Sequence, residues 1–118
     1  MHYLISVPSQ APSGFKVTAS TSTSITASWQ LPPEYARHGT ITGFKLFHAK
    51  KGSQGPPTEL TNNVTSLSRV VSGLDEYTEY EFQVLAFSSK GDGPKSSVVV
   101  ERTKEDGKIY KTIMVLIN

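Results

Sequence analysis

Apolar and polar residues alternate in short bursts along this chain, separated by clusters of Gly, Pro, Asn and Ser. A period of two puts successive side chains on opposite faces of an extended strand, and no stretch shows the recurrence of an amphipathic helix. Phe15 and Val17 alternate in a first expected strand, and the polar residues 20–24 follow as a turn. Ile25, Ala27 and Trp29 share one face of a second strand. Leu31-Pro32-Pro33 ends it, because proline donates no ladder hydrogen bond and holds its own φ. After a long loop to Thr40, residues 41–49 form a third strand with Phe44, Leu46 and His48 on one face and Lys45 and Phe47 on the other. Residues 50–57 read as an exposed loop, followed by a short edge strand at 58–60 and another strand at 67–72. The clearest alternation sets Tyr80, Phe82, Val84 and Ala86 inward against Glu79, Glu81, Gln83 and Leu85 outward, as in a half-buried antiparallel strand. Residues 88–94 then read as a hairpin loop, and residues 98–100 open the last strand.

Seven antiparallel strands with turn signals at each junction predict an all-β sandwich, a pattern shared by immunoglobulin-like, fibronectin-like and other two-sheet folds. A chain of 118 residues suits one hydrophobic core. Cysteine is absent, which excludes disulfides, thiolate zinc sites and thiol nucleophiles. The net charge of +2 comes from scattered basic residues, too dilute for a nucleic-acid footprint. The longest apolar run, residues 113–117, is far short of the ~20 residues of a membrane span, so direct membrane insertion is not expected. Residues 1–7 lack the basic start and apolar stretch of a signal peptide. The expectation is a piece of a longer chain whose targeting segments lie outside it.

Particular residues narrow the sandwich. Pro12, the strand bearing Trp29 and ending at Pro33, Ile41, Gly43, Phe44 and Leu46 come in one order with Leu74, Thr78, Tyr80, Phe82, Val84, Ala86, Gly91, Gly93, Pro94 and Ser96. From Ala11 to Thr103 this string resembles the fibronectin type III family, which implies a seven-stranded antiparallel, immunoglobulin-like β-sandwich. A tyrosine opening the sixth strand can bury its ring while its hydroxyl bonds back to the preceding corner. Tyr80 is the residue so placed, and Trp29, Leu74 and Tyr80 are expected to serve structure. Three departures from the family's habits stand out: Glu76 where proline is usual, His48 in place of a larger aromatic, and Ala27 in place of a larger aliphatic. The expected organisation is a linker or tail at 1–10, the module at 11–104 and a flexible tail at 105–118. The linker and the Pro32–Gly43 stretch are similar to those of repeats in tandem arrays of cell-surface adhesion and guidance receptors, neogenin-like, sidekick-like and receptor phosphatase-like. The resemblance implies a non-catalytic spacer and protein-recognition unit, outside the cell membrane or secreted, whose partners are neighbouring modules and adhesion proteins.

No catalytic, metal or cofactor site is expected. His2, His38 and His48 fall in a tail, a loop and a strand, which offers no converging acid-base set. Gly91-Asp92-Gly93-Pro94-Lys95-Ser96 superficially resembles a phosphate loop, but Pro94 stands where glycine is needed and a strand follows instead of a helix. Glu79 and Glu81 are read as solvated, and His48 as partly exposed near a strand end. Lys90-Gly91-Asp92 is the sharpest binding motif: a related tripeptide in this loop of the family offers integrins a carboxylate and a cation. Lys50 and Lys51 suggest heparin-like glycans as a second alternative. Asn63-Val64-Thr65 is a glycosylation sequon expected in a loop, and an intracellular module, the third alternative, would carry no glycan there. Phe47 is expected to be covered by a neighbouring strand.

Overall fold

The computed structural model describes residues 5–106. Its strands are β1 (Ser13–Ala19), β2 (Ile25–Gln30), β3 (Ile41–Lys50), β4 (Thr58–Asn63), β5 (Ser68–Val71), β6 (Glu79–Ser88), β7 (Gly91–Asp92) and β8 (Val99–Arg102), with one 3-10 turn at Glu34–Ala36. One sheet has the order β1-β2-β5 and the other β4-β3-β6, with β7 and β8 along the far side of β6. All pairings are antiparallel. This is the expected all-β sandwich.

The core fills the space between the sheets from the alternating positions. Ile25, Ala27 and Trp29 of β2 face Phe44 and Leu46 of β3 and Tyr80, Phe82, Val84 and Ala86 of β6, all within one buried cluster that also takes in Leu74. Trp29 and Phe44 meet with ring centroids 5.6 Å apart and planes tilted by 59°, an arrangement that avoids facing the negative ring faces toward each other. At the corner before β6, the Tyr80 hydroxyl accepts a hydrogen bond from the Asp75 N–H at 2.8 Å. The buried Thr103 completes the corner, its Oγ1 donating to the Asp75 carbonyl at 2.7 Å and accepting from the Thr78 N–H at 2.9 Å. Each such bond is worth about 1 kcal/mol net, and far more is lost if its partner is left buried and alone.

Four features depart from the pattern read along the chain. The seventh strand is interrupted: β7 and β8 are its two ends. Pro94 has no N–H to give, and between the two ends the Ser96 hydroxyl, in place of a carbonyl, accepts from the Val84 N–H at 3.0 Å. The hairpin before it is tight, with Ser88 opposite Gly91, so only Ser89 and Lys90 form the turn. Strand β4 extends to Asn63, which places the sequon asparagine at a strand end instead of in a loop. Finally, the outer face of β3 and β6 is not uniformly wet: Leu85 is buried and Glu79 and Glu81 are half-buried, while Phe47 is buried as expected. The chain covers Phe47 with the Lys95 ammonium, 4.0 Å above its ring.

The segment expected as a linker is laid against the module from Ile5 onward. Its Ser6 N–H donates to the His38 carbonyl at 2.9 Å and its Ser9 N–H to the Ala36 carbonyl at 2.8 Å. Pro8 is fully buried against Gly93, where a Cβ would stand 2.9 Å from the proline ring and its carbonyl oxygen. His2 and residues 107–118, with the expectations placed on them, lie outside the described residues.

Candidate functional site

Two poles and one sheet face offer surface for function. The N-terminal pole is built by the segment 5–10, the loop 34–39 and the β6–β7 turn. Besides its two backbone bonds, the segment receives the Ser88 hydroxyl on the Ser6 carbonyl at 3.3 Å, and the Ser9 hydroxyl lies 2.9 Å from His38 Nε2. Ile5, Val7 and Tyr35 remain exposed around it, Tyr35 to 73%. The opposite pole holds the tyrosine corner and the residues after β8, where the Thr103 N–H donates to the Thr78 carbonyl and the Lys104 N–H to the Thr21 carbonyl.

Lys90, Gly91 and Asp92 are brought together at the N-terminal pole but not as a projecting loop. Lys90 is in the turn. Gly91 pairs with Ser88, its φ of 136° being one that glycine adopts readily, and a Cβ there would meet Val7 at 3.3 Å. Asp92 pairs with Phe87 in the ladder, and its carboxylate lies 3.1 Å from Lys45 Nζ on the outer sheet face. This ion pair is exposed, worth at most about 1 kcal/mol, and sets the direction in which the Asp92 carboxylate points. Lys50 and Lys51 are likewise engaged, Lys50 with Asp75 and Lys51 with Glu79 at 3.7 Å. The hydrogen bond that Lys50 donates to the Asp75 carboxylate, with that group's charge, raises the Lys50 pKa above the ordinary lysine value.

No group of three or more His, Asp or Glu side chains fit to hold a metal occurs among the described residues. A dent of about 170 Å³ beside Phe47, lined by Ala49, Pro57, Glu81 and Val98, is smaller than the ~300–1,000 Å³ of small-molecule sites. A wider groove of about 390 Å³, lined by Leu31, Ile41 and Val64, contains a single ionisable side chain, Arg37, whose Nε donates to the Pro32 carbonyl at 2.9 Å. One guanidinium supplies no acid-base pair.

His48 is half-buried near the end of β3, its ring centroid 6.0 Å from that of Phe82. Burial disfavours the charged imidazole and lowers its pKa below the ordinary 6.5. The unfolded chain therefore takes up the proton first as the pH falls through 6.5. The stability that this residue contributes is whole above that value and declines below it, down to the folded-state pKa. His48→Phe is expected to flatten this limb of the urea midpoint plotted against pH, and an unchanged limb would assign the slope to other groups.

The arrangement has clear relatives. A family model, Fibronectin type III domain, matches residues 10–102. The chain belongs to the fibronectin type III family. Protein sidekick-1 of Gallus gallus is 41% identical over 103 residues, covering 86% of this chain and 5% of that protein. Neogenin of Rattus norvegicus is 36% identical over 102 residues, covering 86% and 7%. Tyrosine-protein phosphatase Lar of Drosophila melanogaster is 39% identical over 101 residues, covering 85% and 5%. The chain thus spans a small fraction of the length of these curated relatives. Among solved structures, the FN5 domain of Drosophila Lar superimposes with a TM-score of 0.66 at 34% identity, covering 83% of this chain and 98% of that one. The fn3 domain of human contactin 1 superimposes with a TM-score of 0.77 at 20% identity, covering 92% and 88%, a likeness of fold alone. This fibronectin type III domain is similar to those of adhesion and guidance receptors.

Proposed function

We propose that this fibronectin type III domain is a rigid spacer and protein-recognition module on the extracellular side of an adhesion or guidance receptor. The observation that carries the reading is where the chain comes in and goes out. Ser6 is bonded beside Ser88, the last residue of β6, and Thr103 beside Thr78, just before its first. The two ends of the module are therefore separated by the length of a ten-residue strand, roughly 30 Å at 3.3 Å per residue. The direction at the N-terminal end is held by buried Pro8 and its flanking hydrogen bonds, so it does not swivel as a free linker does. Exposed Ile5, Val7 and Tyr35 lie at that pole and suit contact with a neighbouring module or partner, tyrosine being a frequent anchor of protein interfaces.

Copies of residues 5–104 joined head to tail test the spacer. Small-angle scattering is expected to show the particle lengthening by about 30 Å per copy. A length that grew only as the square root of copy number, as for freely jointed units, would refute it.

A further inference from the structure

We propose that Asn63 is the acceptor of an N-linked oligosaccharide whose first sugar rests against the Phe87 ring on the outer face of the larger sheet. The inference builds on the extracellular reading above, since the modification takes place in the secretory lumen.

Asn63-Val64-Thr65 is the one sequon in the chain, with valine and not proline in the middle. Asn63 is exposed at the end of β4, the free edge of its sheet. Its Oδ1 accepts from the Thr65 N–H at 3.0 Å and from the Thr65 hydroxyl at 2.6 Å. Both bonds fall on the oxygen, and Nδ2 has no hydrogen-bond partner among the described residues. The nitrogen that must react is thus presented while the threonine that the transferase requires is already alongside. In the reaction, Nδ2 displaces pyrophosphate from the anomeric carbon of an oligosaccharide carried on a lipid pyrophosphate. The N–C bond forms as the C–O bond breaks, the leaving pyrophosphate takes the electron pair, and the amide gives up one proton.

The neighbouring row of residues supplies the second part. Asn63 is paired with Gly43, and Gly43 with Phe87, so the three lie in one line across β4, β3 and β6. Phe44 points into the core and Asn62 is buried, which turns Gly43 and Asn63 to the outer face, and Phe87 alternates outward with Leu85. The end of the Phe87 ring lies over Gly43, its Cζ only 2.5 Å from where a glycine Cβ would be. Adjacent strands are roughly 4.8 Å apart, so the ring tip reaches to about one strand spacing from Asn63. A sugar linked there has as its shelf the apolar tip of the Phe87 ring, which covers the buried Gly43, and so meets the contact that aromatic side chains offer to C–H surfaces. The oligosaccharide would also hinder another strand from pairing along the end of β4, a common liability of open sheet edges.

The test is secretion of the full chain from mammalian cells behind a secretory leader, which brings it to the lumen whatever the compartment of the natural protein. The expected product carries a single glycan, removed by peptide-N-glycosidase and lost entirely in Asn63→Gln and Thr65→Ala. Secreted wild-type chain without a glycan would overturn the proposal and leave the spacer reading standing. For the shelf, the first-sugar protons should show upfield ring-current shifts in the folded glycoprotein relative to the same glycoprotein in urea, and these should vanish in Phe87→Leu. First-sugar resonances at identical positions in folded and unfolded wild type would overturn the contact.

Discussion

Trp29→Ala is expected to remove about 3 kcal/mol of stability, the lower end of the ~3–5 kcal/mol typical of aromatic truncation in a core. Two effects set this figure. The indole is 1% exposed and packs on Phe44, so its loss opens a cavity between two strands whose backbones are held in their ladders. Against that, Nε1 is buried with no hydrogen-bond partner among the described residues, and an unsatisfied donor already costs about 1–3 kcal/mol. Deleting the indole removes that penalty. Trp29→Phe separates the two terms, because it keeps most of the apolar volume and discards the orphan donor, and it is expected to cost under about 1.5 kcal/mol. Urea unfolding followed by far-ultraviolet circular dichroism measures both, the fluorescence of the lone tryptophan being lost in each variant. A Trp29→Phe loss as large as that of Trp29→Ala would mean that the N–H has a partner, such as a buried water. With domain stabilities of about 5–15 kcal/mol, the alanine variant should still fold, but with a much smaller margin.

The inward faces of β2 and β6 were legible in the sequence because period-two alternation is a local signal and burial follows it directly. Ile25, Ala27, Trp29 and the run from Tyr80 to Ala86 all lie where the alternation puts them. Tyr80 was legible for a related reason, since its partner Asp75 is only a few residues away. What the sequence hid depends on residues distant along the chain. Pro8 reads as part of a stiff spacer by composition, yet it is buried because Gly93 leaves room for its ring. Asp92 reads as the acid of a binding tripeptide, but Lys45, on another strand, engages it. The interruption between β7 and β8 had a partial signal in Pro94, whereas the substitution of the Ser96 hydroxyl for a ladder carbonyl had none. Phe47 reads as covered and is buried, but the lysine that lies over its ring was hidden, because lysine reads as solvent in any pattern of polar and apolar letters.

Gly43→Ala is expected to destabilise the domain by about 2 kcal/mol, although replacing glycine in a strand ordinarily gains about 0.5–1 kcal/mol through backbone entropy. The reversal of sign comes from three contacts. A Cβ at this position would lie 2.5 and 2.8 Å from Cζ and Cε2 of Phe87, and 2.6 Å from the carbonyl oxygen of Asn62. The ring can swing aside at modest cost, but the carbonyl belongs to the backbone of β4. Moving it strains the register that joins β4 to β3 from His48↔Thr58 to Gly43↔Asn63. Glycine is therefore required here for space, at the bulge where the pairing of β3 with β6 shifts between Ile41 and Gly43. Phe87→Ala combined with Gly43→Ala should recover only part of the loss, because it relieves the ring and leaves the carbonyl. Hydrogen exchange should locate the damage in β4, with its amides losing protection before those of β6. A neutral or stabilising Gly43→Ala would show that β4 yields freely, and the shelf between Asn63 and Phe87 would then be too soft to hold a sugar in one place.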